Sequence, residues 1–111
     1  MDDVQRLAAE KFAHGFNIKL MKHGGVGRSL ELIAVAQAAG LLLMIGGMID
    51  SRLAMTASAQ LAAALGGAIV WCDLDTPLLI ARDGLRGGIT YDGGKIFLPD
   101  GDGIGVQTVR R

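Results

Sequence analysis

Lys19 closes the apolar run Phe16-Asn17-Ile18, with Leu20 and Met21 just beyond it. An ammonium is too costly to bury there, so it should reach the mouth of whatever sheet the run joins. In barrels and open α/β sheets that rim is where ligands bind, which makes Lys19 a candidate acid or base; a snorkelling lysine or one arm of a salt bridge is the plain alternative. Lys22 reads as a solvated charge. Asp73 and Asp75 are one residue apart after another apolar run, and extended backbone would project both carboxylates to one side. A metal ion, an ammonium ligand or an arginine would each satisfy such a pair, while ordinary turn chemistry before Pro77 explains the same residues without a ligand. Asp50-Ser51 can cap a helix. The segment Gly24-Gly25-Val26-Gly27 could cradle an anion at a helix N-terminus, although neither a P-loop Gly-Lys-Ser/Thr nor a full Gly-x-Gly-x-x-Gly is present. His14 and His23 have no local serine or carboxylate arrangement that would suggest a triad.

The elements that must position these groups alternate. Asp2 or Asp3 caps an expected helix to about His14 with Val4, Leu7 and Ala8 on one face. Phe16–Met21 reads as a strand and Lys22–Gly27 as a loop. Arg28–Ala39 reads as a helix with Leu30, Ile33, Ala34 and Ala38 inward, and Leu41–Ile45 as a second strand. A third helix runs from Ser51 to about Leu65, with Leu53, Ala57 and Leu61 as its apolar stripe and Arg52, Thr56 and Gln60 toward water. Ala68–Trp71 is a third strand. This alternation predicts right-handed βαβ crossovers and a parallel sheet. Ile89-Thr90-Tyr91, the turn Asp92-Gly93-Gly94 and Lys95–Leu98 predict a hairpin, followed by a Gly-rich loop from Pro99 to Gly105.

The chain has 111 residues, with eleven Lys plus Arg against eleven Asp plus Glu. That balance excludes a polybasic nucleic-acid arm and an acidic tail. Half of the residues are hydrophobic, which fits one buried core and excludes disorder. The single cysteine, Cys72, can form neither an internal disulfide nor a thiolate metal cage, and with no signal or lipidation motif visible the expected compartment is the cytoplasm. The uncharged stretch Leu32–Ile49 is cut by Gly40 and Gly46-Gly47, so it reads as helix plus buried strand, not as a membrane span.

Taken together, Asn17-Ile18-Lys19-Leu20-Met21-Lys22 with Gly24-Gly25, then Ala39-Gly40, Gly46-Gly47-Met48-Ile49-Asp50-Ser51, and Asp73-Leu74-Asp75-Thr76-Pro77-Leu78-Leu79 resemble the mandelate racemase and muconate-lactonising branch of the enolase superfamily. Within that branch they look most like dipeptide epimerases of the L-Ala-D/L-Glu type. Ile96-Phe97-Leu98-Pro99-Asp100 with Gly103-Ile104-Gly105-Val106 also resembles the family's C-terminal segment. The resemblance implies an α/β fold: the C-terminal portion of a (β/α) TIM-type barrel, about strands six to eight with their helices, and a hairpin tail. Residues 1–83 would be the βα units, and residues 84–111 a tail packing on a capping domain that this chain does not include. It further implies magnesium chemistry in which two lysines exchange a substrate α-proton. Lys19 is similar in position to one of that pair. Asp73 and Asp75 would bind the substrate α-ammonium, Gly47 and Ile49 would contact the substrate peptide, and Asp50, which stands where the family usually has Glu, would also bind substrate. Cys is common where Gly47 stands. The motifs that supply the metal ligands and the second lysine have no counterpart here.

The expectation is therefore a piece of an Ala-Glu-type dipeptide epimerase, inactive alone, or one half of a split enzyme whose second chain completes the barrel. Two rivals belong to other classes. One is a non-catalytic remnant that self-associates through unpaired sheet edges, and the other is an anion-binding βα unit using Gly25–Gly27. Neither nucleic acid nor membrane is expected as a partner.

Overall fold

Three short segments with β-branched, aromatic or aliphatic residues, each preceded by a helix and a turn or loop, are suited to a ladder buried on one side. In the computed structural model, which describes residues 2–109, they form β1 (Gly15–Ile18), β2 (Leu42–Gly46) and β3 (Trp71–Asp73). The strands lie in the order β1-β2-β3 and all run parallel, with Ile18 opposite Ile45, and Ile45 opposite Cys72. Strand order that advances in one direction through right-handed crossovers puts both connecting helices on the same face. Those helices are α3 (Gly25–Ala38) and α4 (Arg52–Ala64), preceded by α1 (Asp2–Glu10) and the single turn α2 (Leu20–His23). Helices on one face of a sheet in sequential order are the local geometry of a barrel wall, not of a doubly wound sheet. The described residues form a small α/β piece with no closed barrel.

The core lies between sheet and helices. Ile18, Leu43 and Ile45 are each 0 % exposed and pack with Ile33 and Ala36 of α3 and Met55, Ala59 and Leu61 of α4. Ser51 caps α4, its Oγ accepting from the Ala54 N–H at 3.4 Å. The tail adds β4 (Leu85–Gly87) paired antiparallel with β7 (Val106–Thr108), and the hairpin β5 (Thr90–Asp92) and β6 (Lys95–Phe97). Gly93 and Gly94 take φ of 52° and 82°, the left-handed pair that a tight two-residue hairpin turn requires.

Several expectations need correction. The first helix stops at Glu10, because Lys11 turns left-handed with φ of 53°. The first strand ends at Ile18, and the expected loop Lys22–Gly27 is instead the junction of α2 and α3, turned by Gly24 at φ 83°. On α3 the buried residues are Ser29, Leu32, Ile33 and Ala36; Leu30, Ala34 and Ala38 face out. So many small and aliphatic residues encircle this helix that periodicity alone cannot choose a face. On α4, Leu61 is buried but Leu53 is 41 % exposed, and Thr56 is 0 % exposed where water was expected. The face carrying Arg52, Thr56 and Gln60 is covered by the tail. Thr56 Oγ1 accepts from the Ile89 N–H at 3.0 Å, Gln60 Nε2 donates to the carbonyls of Gly103 at 3.1 Å and Ile104 at 3.3 Å, and Arg52 pairs with Asp83 at 3.3 Å. Gly88 makes the approach of the tail possible, since a Cβ there would stand 2.7 Å from Thr56 Oγ1. Among the described residues no helix is long and apolar enough to cross a membrane.

Candidate active site

All three strands point their carboxyl ends the same way, so the segments that follow them share one rim. Lys19 is the first residue past β1, with extended backbone (φ −130°, ψ 110°) and a half-buried side chain. Its carbonyl accepts from the N–H groups of Lys22 at 2.9 Å and His23 at 3.1 Å, and its own N–H donates to His23 Nδ1 at 3.2 Å. The α2 turn thus clamps the lysine backbone. Burial and the neighbouring Lys22 charge lower the His23 pKa, which suits a ring nitrogen that must stay unprotonated to accept. The Lys19 Nζ donates across the rim to the carbonyl of Gly47. Strand ends β1 and β2 are therefore linked through the one side chain that sequence reasoning selected as an acid or base.

The loop after β2 is braced by Asp50, whose Oδ2 accepts from the Met48 N–H at 2.8 Å. Its carboxylate is occupied within its own loop, and its carbonyl accepts from Thr76 Oγ1 at 3.3 Å, linking this loop to the one after β3. A Cβ on Gly47 would lie 2.7 Å from Met55 Cε and 3.0 Å from Asp50 Oδ2, so Gly47, Asp50 and Met55 form a matched set. That packing accounts for a glycine where the family resemblance makes cysteine common. Ile49 stands 80 % exposed on this loop.

Asp73 ends β3 opposite Gly46, and Asp75 follows with Leu74 between them. Both carboxylates are exposed, but the extended-backbone expectation fails at Asp75, which is helical (φ −86°, ψ −7°) and leads into a 3₁₀ turn at Thr76–Leu79. Pro77 at the start of that turn favours the helical entry over continued strand. Among the described residues the ion pairs are Arg6–Glu10, Arg28–Glu31 and Arg52–Asp83, so within them neither Asp73 nor Asp75 is matched by a cation. Leu74 is 2 % exposed, and its carbonyl accepts from Tyr91 Oη at 2.5 Å. Sequence reasoning missed Tyr91, and it missed Arg52 as a link to the tail. Nothing in a hairpin's local pattern announces that its one tyrosine will reach a strand end.

The magnesium implied by the resemblance finds no holder here: among the described residues no three His, Cys, Asp or Glu side chains gather closely enough to bind a metal ion. His14 lies at the other end of β1. It lines an open cavity of about 390 Å³ on the helix-free face of the sheet, with Asn17, Leu42, Met44 and Trp71.

Residues 1–111 match the family described as Enolase C-terminal domain-like. An aromatic dipeptide epimerase from Herpetosiphon aurantiacus is 55 % identical over 105 residues, which cover 95 % of this chain and 29 % of that protein. An L-Ala-D/L-Glu epimerase from Clostridium acetobutylicum is 37 % identical over 107 residues, 96 % of this chain and 30 % of that protein. The chain thus spans about 30 % of the length of the curated relatives it matches. Among solved structures, a mandelate racemase/muconate lactonizing protein from Herpetosiphon aurantiacus superposes with a TM-score of 0.90 at 53 % identity, over 96 % of this chain and 30 % of that one. A dipeptide epimerase from Cytophaga hutchinsonii, crystallised with Mg and the dipeptide D-Ala-L-Val, gives 0.88 at 35 % identity, over 96 % of this chain and 29 % of that one.

Proposed function

The chain belongs to the enolase C-terminal domain-like family, and from that premise we propose that it carries one side of a dipeptide epimerase site, with Lys19 as one of the groups that remove and return the substrate α-proton. A single observation carries this reading. The amine of Lys19 reaches the Gly47 carbonyl at the rim, on the same end of the sheet as the exposed carboxylates of Asp73 and Asp75.

A hydrogen α to a carboxylate is very weakly acidic, so the base that takes it must be held in place and be able to give the proton back. The Gly47 carbonyl holds the Lys19 ammonium until substrate arrives, and the α2 turn keeps its backbone from drifting. Asp73 and Asp75 receive the α-ammonium of the dipeptide's first residue, a charge-assisted contact that sets the reacting carbon in register. Gly47 and Ile49 line the path of the substrate peptide. Asp50 holds that loop through the Met48 N–H, a role its shorter side chain reaches without extending toward substrate. A divalent cation would have to be held by ligands outside the described residues, and would supply positive charge beside the substrate carboxylate.

The substrate proposed is a dipeptide of the Ala-Glu type. A second reading, an apolar residue beside the alanine, is favoured by Met48, Ile49, Leu78 and Leu79, which expose apolar side chains on the two rim loops, and by the similarity to an aromatic dipeptide epimerase. Grafting this chain in place of the matching segment of the Herpetosiphon aurantiacus enzyme tests both. Solvent deuterium should enter L-Ala-L-Glu or L-Ala-L-Phe, whichever the rim prefers, and Lys19→Met should slow it by about 10²–10⁴-fold. Exchange that is equally fast with methionine at that position refutes the lysine's role. The chain by itself is expected to give no epimerisation above blank with magnesium.

A non-catalytic, self-associating role is the alternative, and a different observation favours it. Leu42 is 44 % and Trp71 53 % exposed on the helix-free face, beside two unpaired strand edges. Trp71 is the only tryptophan, so a blue shift of its emission with rising concentration, alongside earlier elution on size exclusion, would support association; a sharp monomer with solvent-like emission would remove it. Pairing with a second chain that completes the barrel would give the same blue shift only when that chain is added.

A further inference from the structure

We propose that Tyr91, from the C-terminal hairpin, is a positioning residue for the Asp73/Asp75 pair: its phenol holds the backbone between the two carboxylates and so fixes their spacing for an ammonium ligand. The proposal rests on the reading of that pair as an ammonium clamp.

Strand β3 ends at Asp73, and the ladder with β2 ends with it, so Leu74 and Asp75 receive no further support from the sheet. Beyond that point the chain must turn, and a carboxylate pair on a free turn would sample many separations. Three contacts restrain it. The Leu74 side chain is buried in the core, Thr76 Oγ1 donates to the Asp50 carbonyl, and Tyr91 Oη donates to the Leu74 carbonyl. The last of these acts on the Leu74–Asp75 peptide unit, one of the two between the aspartates. It is anchored from the far side, because Ile89, the residue before β5, docks onto α4 through its N–H bond to Thr56 Oγ1. A group on one element is thus aimed by a second through a third. Burial of the phenol, the Asp75 carboxylate and, in the opposite sense, the Arg52 guanidinium all act on Tyr91, with a net rise in its pKa, so it stays a donor across the physiological range.

The test uses the full chain, labelled with ¹⁵N and titrated with L-alanyl-L-glutamate and with its N-acetyl form, which lacks the ammonium. The free dipeptide should shift the amide signals of Asp73 to Thr76 and the acetylated one should not. Tyr91→Phe should weaken that binding by about fivefold, the size of one hydrogen bond, with an unchanged far-UV spectrum at the titration temperature. 4-Aminophenylalanine at the same position, which restores a donor, should recover it. Binding unaltered in Tyr91→Phe overturns the positioning role while the clamp stands. Binding unaltered in the Asp73→Asn/Asp75→Asn double variant, or no binding by the unaltered chain, overturns the clamp and the proposal with it. Should the phenylalanine variant fail to fold, the phenol itself reports its burial beside Asp75, which the contact requires, since Tyr91 is the only tyrosine. Its ultraviolet titration should fall above the ordinary value of 10.0 and move down in Asp75→Asn. An ordinary midpoint in both proteins overturns the contact.

Discussion

The two faces of the three-stranded sheet differ more than any other two regions of the molecule. Toward the helices, Ile18, Leu43 and Ile45 are wholly buried; on the opposite face, one residue along each strand, Leu42 and Trp71 are about half exposed around an open cavity. Side chains alternate along a strand, so the same three short strands supply both faces, and both are mostly apolar, with Asn17 the polar side chain of the open one. Apolar content therefore does not say which face is finished. What distinguishes them is that each βα unit brings its own cover for one face only, and a barrel wall receives the other cover from the strands across the barrel.

The largest expected effect breaks this comparison if it fails. Ile45→Ala should cost about 2–5 kcal/mol of stability in urea unfolding, while Leu42→Ala should cost well under half as much, because a half-exposed side chain leaves no enclosed cavity. Equal costs would mean that the open face is covered in solution. A smaller effect sharpens the account of α4, whose outer face is also covered: Thr56→Val keeps the shape but leaves the Ile89 N–H without a partner, at about 1–3 kcal/mol, read by the same unfolding curve. Ser51→Ala removes the α4 cap and should cost about 1 kcal/mol. The smallest effect is one of pH. The folded His23 pKa lies below its ordinary 6.5, so its contribution is complete above that value and is lost as pH falls through the lowered folded pKa. His23→Gln should flatten this slope of stability against pH between neutrality and mildly acid conditions, without changing stability's response above pH 7.

Much of this architecture is legible before folding is considered. The order of helices, strands and hairpin follows from apolar runs of strand length, from glycines after helices, and from Asp92-Gly93-Gly94 between two short β-prone segments. Lys19 at a rim follows from the cost of burying an ammonium within such a run. Where local rules misled, a tertiary partner or a turn residue intervened. Thr56 looked like a water-facing position because the tail that covers it is far along the chain, and Asp75 departs from extended backbone because the turn chemistry around Pro77, the alternative reading of these residues, prevails there over the strand. That the Asp50 carboxylate also accepts from an N–H two residues away was not legible either, because it depends on the path of the loop after β2.

By itself, then, the sequence determined the alternation of the three main helices with three strands, the hairpin, the parallel βα arrangement and the end of the sheet at which the ionisable groups gather, since those depend on periodicity and turn chemistry within a few residues. It did not determine α2 or the β4–β7 pair. Only the tertiary structure decided that Thr56 meets the Ile89 N–H 33 residues away, that Tyr91 reaches the Leu74 carbonyl 17 residues back, and that one face of the sheet stands open. Such pairings depend on how separate elements dock, and docking is governed by summed burial and by the need of each enclosed polar group for a partner, neither of which a local window of sequence contains.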